Sequence, residues 1–309
     1  MRPARFAYFQ PETLDEAVGF LQAGGERAMV LAGGQSLLAL MNRRQERPTA
    51  LVDLTRLRHL RYLRHESGRL RIGALTTHRD IETTGDRGVN GDFPVLPEAA
   101  RLIGHLPIRT RGTFGGSLAQ ADPCSEWCLL AVLLDAEILV RGPDGPRTIP
   151  VDEFFTAPGT ALRPHEILVE ARFDRPAPTA ALVEFSVQEG NLPLVAAAAA
   201  VELAPDGSVG SARIALAGVA NRPVRFRRVE EALLHSAPDR RLPDHAARLL
   251  ADQLHPAGDD RADADYRRQL ATTLVARALR ESLARGRSAA AATTATTSDR
   301  PTQEKAETR

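Results

Sequence analysis

The chain has 309 residues, which is enough for two domains or three small ones. Hydrophobic residues make up 43% and charged residues 26%, a composition that excludes disorder of the whole chain. The 40 basic and 39 acidic residues give a net charge of +1, which argues against a nucleic-acid-binding protein. The first residues lack the apolar core of a secretion signal, and no segment reaches the ~18 apolar residues of a membrane span. We therefore expect a cytoplasmic protein without a membrane span.

The first predicted module covers residues 1–56. Thr13 and Glu16 have the spacing of a capping box, which predicts a helix over 13–23. Residues 28–31 and 49–54 are short apolar runs typical of buried strands. This module therefore has the pattern of a small α/β unit.

The second predicted module covers residues 57–175. Alternating residues on both sides of Ser67 and Gly68 predict a β-hairpin. Further along, the pattern predicts helices that start near 76, 95 and 126 and a strand over 137–141.

Pro-rich residues 175–178 read as a linker before a third module, 177–287. Three strand-like runs are followed here by two helical ones, which is an α+β pattern. Residues 288–309 are rich in Ala, Thr and polar residues, so we predict a disordered tail.

Two glycine-rich loops carry the strongest chemical pattern. Residues 32–36 follow a predicted strand, and residues 113–117 contain a second Gly-Gly pair. Glycine lets a ligand approach the backbone closely, and consecutive backbone N–H groups can bind a pyrophosphate. Neither loop has the P-loop or the Rossmann spacing, so neither of those sites is implied. The alternative is that both loops are only tight turns.

Five segments together resemble one protein family. They are Leu31–Leu38, Ile72–His78, Gly104–His105, Ile108–Ala119 and Ala121–Pro123. Their order and spacing over residues 1–285 resemble the FAD-binding medium subunit of molybdenum hydroxylases, the family of xanthine dehydrogenase and carbon monoxide dehydrogenase. The resemblance implies an α+β fold, with a two-part FAD-binding domain of the p-cresol methylhydroxylase type followed by a smaller α+β domain.

The resemblance also implies an FAD site. Ala32, Gly33, Gly34, Gln35 and Ser36 would hold the pyrophosphate, with Val30 and Leu31 alongside. A second pyrophosphate-binding loop would consist of Thr113, Gly116, Ser117 and Ala119.

Further roles are implied for the rest of the cofactor. Thr76 and Thr77 would lie near the flavin and the ribityl chain, and Ile103 and Gly104 near the adenine. Glu126 would bind a ribose or ribityl hydroxyl. Ile167 and Leu168 would pack near the isoalloxazine ring. No catalytic acid or base is implied.

The implied partners are a large molybdopterin subunit and a small subunit with two [2Fe–2S] clusters. FAD would take electrons from the nearer cluster and pass them to NAD⁺, a quinone or O₂. Residues 185–191 depart most from the family, because two arginines and an aspartate are missing there. This departure leaves open a stand-alone FAD oxidoreductase on the same fold. A third alternative is an assembly protein that has lost its flavin.

Cys124 and Cys128 are the two cysteines of the chain. Two thiols are too few for a disulfide scaffold or for an iron–sulfur cluster, and no further soft ligands lie nearby in the sequence. We expect no metal site and interpret both cysteines as buried packing residues.

Overall fold

The structure is a computed structural model that describes residues 3–157 and 159–298, with side chains described as far as Ser288. The strands are β1 Ala7–Phe9, β2 Ala28–Leu31, β3 Ala50–Asp53, β4 Leu63–Glu66, β5 Arg69–Gly73, β6 Glu137–Gly142, β7 Gly145–Pro150, β8 Ile167–Phe173, β9 Ala181–Phe185, β10 Val195–Leu203, β11 Val209–Ala217 and β12 Val224–Arg225.

The helices are α1 Leu14–Gly24, α2 Leu37–Asn42, α3 His78–Glu82, α4 Arg87–Asp92, α5 Val95–Leu102, α6 Leu106–Arg109, α7 Phe114–Gln120, α8 Glu126–Leu133, α9 Val151–Phe154, α10 Arg227–Leu233, α11 Leu242–Ala251 and α12 Ala264–Ser298. A short 3₁₀ helix spans Arg58–Leu60.

The first unit is a parallel sheet in the order β1-β3-β2. Helix α1 begins where the sequence predicts, because the Thr13 hydroxyl accepts a hydrogen bond from the N–H of Glu16. Its buried face, which includes Ala17 and Leu21, packs with Val52 of the central strand. The first glycine loop therefore follows strand β2 at the edge of a small sheet that helix α1 anchors.

The second unit is an antiparallel sheet in the order β4-β5-β8-β6-β7. Strand β8 lies at its centre, although the sequence analysis predicts no strand there. One face of the sheet, with Ile72, Ile138 and Phe173, packs against helices α5, α7 and α8. The helix that carries the second glycine loop is thereby fixed on this sheet.

The third unit is an antiparallel sheet in the order β12-β11-β10-β9, covered by α10, α11 and α12. Strand β10 contains an alanine run, 196–200, whose side chains alternate between the two faces of the sheet. Ala196, Ala198 and Ala200 join the core of the second unit, whereas Ala197 and Ala199 face the helices of the third. The small side chains let both layers approach the strand closely.

Helix α8 joins the second and third units. All eight of its residues are buried, as expected for a helix that is apolar on all sides. It contacts α5 on one side and strands β10 and β11 on the other. The two units consequently share one core.

The last helix extends beyond the sequence-based expectation. A helix is predicted over 263–285, but α12 continues to Ser298, because the Ala-rich start of the predicted tail has high helix propensity. The predicted disordered tail thus differs from the structure over 288–298, and residues 299–309 lie outside the described residues. Among the described helices, none is long and apolar enough to cross a membrane.

A buried guanidinium anchors α12 to the third sheet. Arg267 is 3% exposed, and its Nη1 donates to the carbonyls of Leu194 and Gly218 at 2.7 and 3.1 Å. Its Nη2 lies 2.6 Å from the carboxylate of Asp259. The contact with Leu194 also holds the end of the segment that precedes β10.

We expect Arg267→Met to destabilise the protein by about 3 kcal/mol, because it leaves two buried carbonyls and a carboxylate without their charged donor. Urea unfolding of the full chain measures this change. Arg277→Met, at an exposed position of the same helix, is the matched control and should change stability by less than about 0.5 kcal/mol. Equal effects of the two variants would show that the buried contacts do not stabilise the fold.

Candidate functional site

The two glycine loops lie against each other. A Cβ atom on Gly33 would lie 2.1 Å from the carbonyl oxygen of Arg111 and 2.8 Å from the Cα of Gly112. A Cβ on Gly116 would lie 4.0 Å from the Cβ of Ala32. The close approach brings together two segments that the sequence places in different modules.

The first loop offers free backbone donors. Among the residues that the structure describes, no acceptor partners the N–H groups of Gly33, Gly34, Gln35 and Ser36. Gly34 has a φ of +72°, a conformation that favours glycine and turns the chain between β2 and α2. Four unpaired N–H groups at the carboxyl end of a strand can bind an anionic group such as a diphosphate.

The second loop differs from the expectation of a matching set of free N–H groups. Helix α7 begins within it, and its first amides already have acceptors. Phe114 donates to the carbonyl of Thr76, Gly115 to that of Ala74, and Gly116 to the Thr113 hydroxyl. The predicted second pyrophosphate-binding loop therefore lacks these free amides, because they fix α7 on the neighbouring segment. The partly exposed Ser117 and the exposed Ala119 leave surface for a ligand.

The predicted pair Thr76 and Thr77 lies beside both loops. A β-bridge joins Thr77 to Thr113, and the N–H of His78 donates to the carbonyl of Gly112. The hydroxyl of Thr76 donates to the Tyr62 carbonyl, and that of Thr77 accepts from the N–H of Asp80. Both hydroxyls thus form hydrogen bonds within the fold. Thr76 and Thr77 therefore have a positioning role where the two glycine loops meet.

His78 is held neutral behind this junction. The indole N–H of Trp127 donates to His78 Nδ1 at 3.0 Å. Burial, aided by the nearby charge of Arg109, lowers the pKa of His78 to about 4. The imidazole is therefore an uncharged structural group at neutral pH.

Strand β8 places Ile167 and Leu168 on opposite sides of the second sheet. Ile167 is 1% exposed in the cluster that includes Val30 and Ala32, and Leu168 is 5% exposed in the large core. Their burial follows from the central position of the strand. Both side chains therefore pack in the core and leave little surface for contact with a flavin ring.

A cavity of about 480 Å³ lies between the second and third units. Gly104 and His105 form one wall, and Ser186, Glu189 and Gly190 form the opposite wall. A Cβ atom on Gly190 would lie 2.5 Å from the His105 ring. Arg109 connects this cavity to the loops, because its Nη1 donates to the Gly104 carbonyl and its helix leads directly into Gly112. Ile103, which precedes Gly104, packs against the large core.

Glu126 and Glu184 form an acidic pair at the same boundary, where Glu126 is buried and Glu184 is partly exposed. Glu126 is the first residue of α8 and is 3% exposed, while Glu184 on β9 lines the cavity. Burial raises the pKa of Glu184 to about 7. Burial, together with the charge of Glu184 and then Asp122, raises the pKa of Glu126 to about 8. The family resemblance identifies Glu126 as a candidate, but no feature of the sequence points to Glu184.

Both cysteines lie in the core. Cys128 is fully buried on α8, whereas the buried Cys124 lies just before this helix. Within the part of the chain that the structure describes, no group of three or more His, Cys, Asp or Glu side chains could hold a metal ion.

Comparisons with known proteins agree with this architecture. Residues 4–174 match the family model for the FAD binding domain in molybdopterin dehydrogenase, and residues 180–282 match the CO dehydrogenase flavoprotein C-terminal domain. These matches confirm the predicted combination of an FAD-binding domain with a smaller C-terminal domain.

Relatives with assigned activities cover nearly the whole chain. The carbon monoxide dehydrogenase medium chain of Hydrogenophaga pseudoflava is 35% identical, over 92% of this chain and 99% of that protein. Subunit alpha of the 6-hydroxypseudooxynicotine dehydrogenase complex of Paenarthrobacter nicotinovorans is 34% identical, over 93% and 97%. The solved structure of quinoline 2-oxidoreductase from Pseudomonas putida 86 superposes with a TM-score of 0.87 at 32% identity, over 93% and 99%.

We expect Gly33→Ala to weaken FAD binding at least tenfold. The added Cβ cannot fit 2.1 Å from the Arg111 carbonyl oxygen, so the two loops must separate. Fluorescence titration of the flavin-free protein with FAD measures the dissociation constant.

Gly19→Ala is the matched control, since a Cβ on this helical glycine meets nothing within 4 Å. It should leave FAD affinity unchanged. An unaltered dissociation constant for Gly33→Ala would show that the close packing of the loops does not shape the cofactor site.

We also expect the folded protein to lose stability as the pH rises from about 5 to 8. Glu126 and Glu184 have pKa values of about 8 and 7 in the folded state, above the ordinary 4.5, so folding retains protons that the unfolded chain releases. Their contribution is complete below pH 4.5 and is lost as the pH passes the folded-state values.

Each group contributes a slope of at most about 1.4 kcal/mol per pH unit. Urea unfolding at several pH values should show a flatter profile for Glu126→Gln with Glu184→Gln than for the parent. Glu153→Gln removes an exposed carboxylate and should leave the profile unchanged. Parallel profiles in all three proteins would contradict the burial of these two carboxyls as proton-holding groups.

Proposed function

Since the chain belongs to the FAD-binding medium subunits of the molybdenum hydroxylases, we propose that it passes electrons from an iron–sulfur partner subunit to FAD and then to an acceptor. The donor is a small subunit with two [2Fe–2S] clusters. A large subunit with molybdopterin oxidises the substrate. The cytoplasmic location expected from the sequence belongs to the same proposal.

The free amides of residues 33–36 carry this proposal. They supply neutral donors of the kind that hold a dinucleotide diphosphate, and the close contact between Gly33 and Arg111 keeps them in place. The residues present thus fit FAD, which supplies the two-electron chemistry when bound. This chain contributes binding, orientation and an exposed edge of the cofactor.

The cavity suggests where the flavin end of FAD lies. Gly104 was expected near the adenine, yet it lines the same cavity as Ser186, Glu189 and Gly190 of the altered segment, which the family resemblance places beside the flavin. In an extended FAD molecule the adenine and the flavin lie far apart, so only one of them can occupy this cavity. We assign the cavity to the flavin, because it opens to solvent and an acceptor must reach the reactive ring. Ile103 and Gly104 then lie at the flavin end.

The altered segment 185–191 bears on the choice of acceptor. Ser186, Glu189 and Gly190 line the cavity, whereas Val187 is 68% exposed. The two positions that lack the family's arginines, Val187 and Gln188, therefore affect the rim that an acceptor or a partner subunit would touch. NAD⁺, a quinone and O₂ are all acceptors compatible with an open cavity.

We expect native purification to yield this chain together with a molybdenum-containing subunit and an iron–sulfur subunit. The co-eluting species should contain one FAD, one molybdenum and four iron atoms for each copy of this chain, since two [2Fe–2S] clusters carry four irons. Heat or acid should release the FAD unchanged, because the site binds through amides and no covalent attachment residue is recognised.

Reduction of the isolated chain distinguishes the alternatives. Its FAD should be reduced rapidly by the reduced iron–sulfur partner and negligibly by free substrates of the complex. Rapid turnover of a small molecule by the isolated chain would overturn the electron-transfer function and favour a stand-alone oxidoreductase. Purified chain without flavin, and unable to bind it, would identify an assembly protein.

A further inference from the structure

Neither Glu126 nor Glu184 forms an ion pair with a residue that the structure describes. Glu126 comes from the second unit and Glu184 from the third. Oε2 of Glu184 is buried without a hydrogen-bond partner among the described residues. The carboxyl of Glu126 is 3% exposed and accepts a hydrogen bond from the N–H of its own residue. The charge of Glu184 acts on this carboxyl across the boundary between the second and third units.

Two arginines of the second and third units are paired elsewhere. Nε of Arg109 donates to Glu82 at 2.9 Å, and Arg285 of α12 contacts Glu98, Glu281 and the Ala180 carbonyl. The remaining charged or titratable groups around the pair are Asp122, which precedes α8, and Arg101, His105 and Glu189, which line the cavity.

No described cation is paired with either carboxyl, so a proton is the group that neutralises the pair. Burial alone accounts for the raised pKa of Glu184, at about 7, so the arginines of the cavity do not compensate its charge. Burial raises the pKa of both carboxyls towards neutrality, and the charge of Glu184 adds to the rise at Glu126, whose pKa is about 8. A nearby change of charge near neutral pH therefore moves a proton on or off the pair.

We propose that Glu126 and Glu184 are a proton-holding pair that takes up a proton from the cavity when electrons reach the cofactor, and that releases it when the electrons leave. This inference rests on the proposed electron-transfer function. Glu184 is the entry point, because it lines the solvent-open cavity, and Glu126 is the inner member at the start of α8.

Proton uptake by Glu184 accompanies the arrival of electrons at the cofactor. Two electrons arrive from the iron–sulfur partner, and hydronium ions of the solvent that reaches the cavity supply the protons that accompany them, each leaving a water molecule. One of these protons forms an O–H bond on the ionised carboxylate of Glu184, so the electrons' negative charge is partly neutralised within the buried site. Transfer of the electrons to the acceptor reverses this, and the O–H bond breaks with return of the proton to water. No other bond changes in this chain.

Spectroelectrochemical titration of the FAD-loaded full chain between pH 6 and pH 9 tests the proposal. For a two-electron couple, uptake of one additional proton steepens the dependence of the midpoint potential on pH by about 30 mV per unit. We expect the parent to show an added slope of up to this size between pH 7 and 8, and Glu184→Gln to lose it. Glu184→Asp, which keeps the titratable group, should retain most of it.

Position 184 is the one substituted in the test, because Glu126 is also a predicted FAD ligand. Glu153→Gln removes an exposed carboxylate and should show the same dependence of the midpoint potential on pH as the parent. An infrared difference spectrum of the parent, reduced minus oxidised, should gain a protonated-carboxyl band, and this band should be absent in Glu184→Gln. The parent spectrum decides the matter even where the variant does not fold.

Two results would contradict the proposal, and they differ in whether the proposed electron-transfer function survives. Bound FAD with the same slope in parent and Glu184→Gln, and no carboxyl band in the parent, would overturn the proton-holding role and leave the proposed function standing. A chain that binds no FAD would overturn both.

Discussion

The contact between Gly33 and the backbone of Arg111 and Gly112 is the constraint on which the candidate site depends. A side chain at position 33 would overlap the Arg111 carbonyl, so only glycine allows the parallel sheet of the first unit to meet the second. The contact holds the four free amides of residues 33–36 in one orientation before any ligand arrives. Donors fixed in this way bind an anion without the entropic cost of ordering a loop.

A second constraint comes from α8. Because this helix is buried on every side, the second and third units share a core and cannot separate without exposing it. Small residues on β10 permit the close approach, and Arg267 fixes the segment that precedes this strand. The cavity lies at the edge of this joint. Its shape is therefore set by packing between the units, while its rim, with Val187, remains exposed and free to vary.

The sequence predicts those features that depend on local chemistry. The cap at Thr13 and the glycine loop at 33–36 can be located from neighbouring residues alone. It does not predict the start of α7 at Phe114, because the acceptor for that residue's amide is the distant Thr76. Glu184 is missed for the same reason. Its raised pKa arises from burial at a domain boundary that no local pattern records.

The chemistry of the acidic pair differs from that of two other buried acids. Glu170 is 1% exposed but lies between Arg71 and Arg172, and Glu230 is paired with Arg225, so their charges are compensated within the fold. Stability alone would favour a neutral side chain of similar volume at positions 126 and 184, since burial of uncompensated carboxyls is unfavourable. A titratable pair at the edge of a solvent-open cavity instead provides a charge that can change with the redox state of a cofactor bound beside it. This function, unlike a structural one, requires that the carboxyls have no permanent cationic partner.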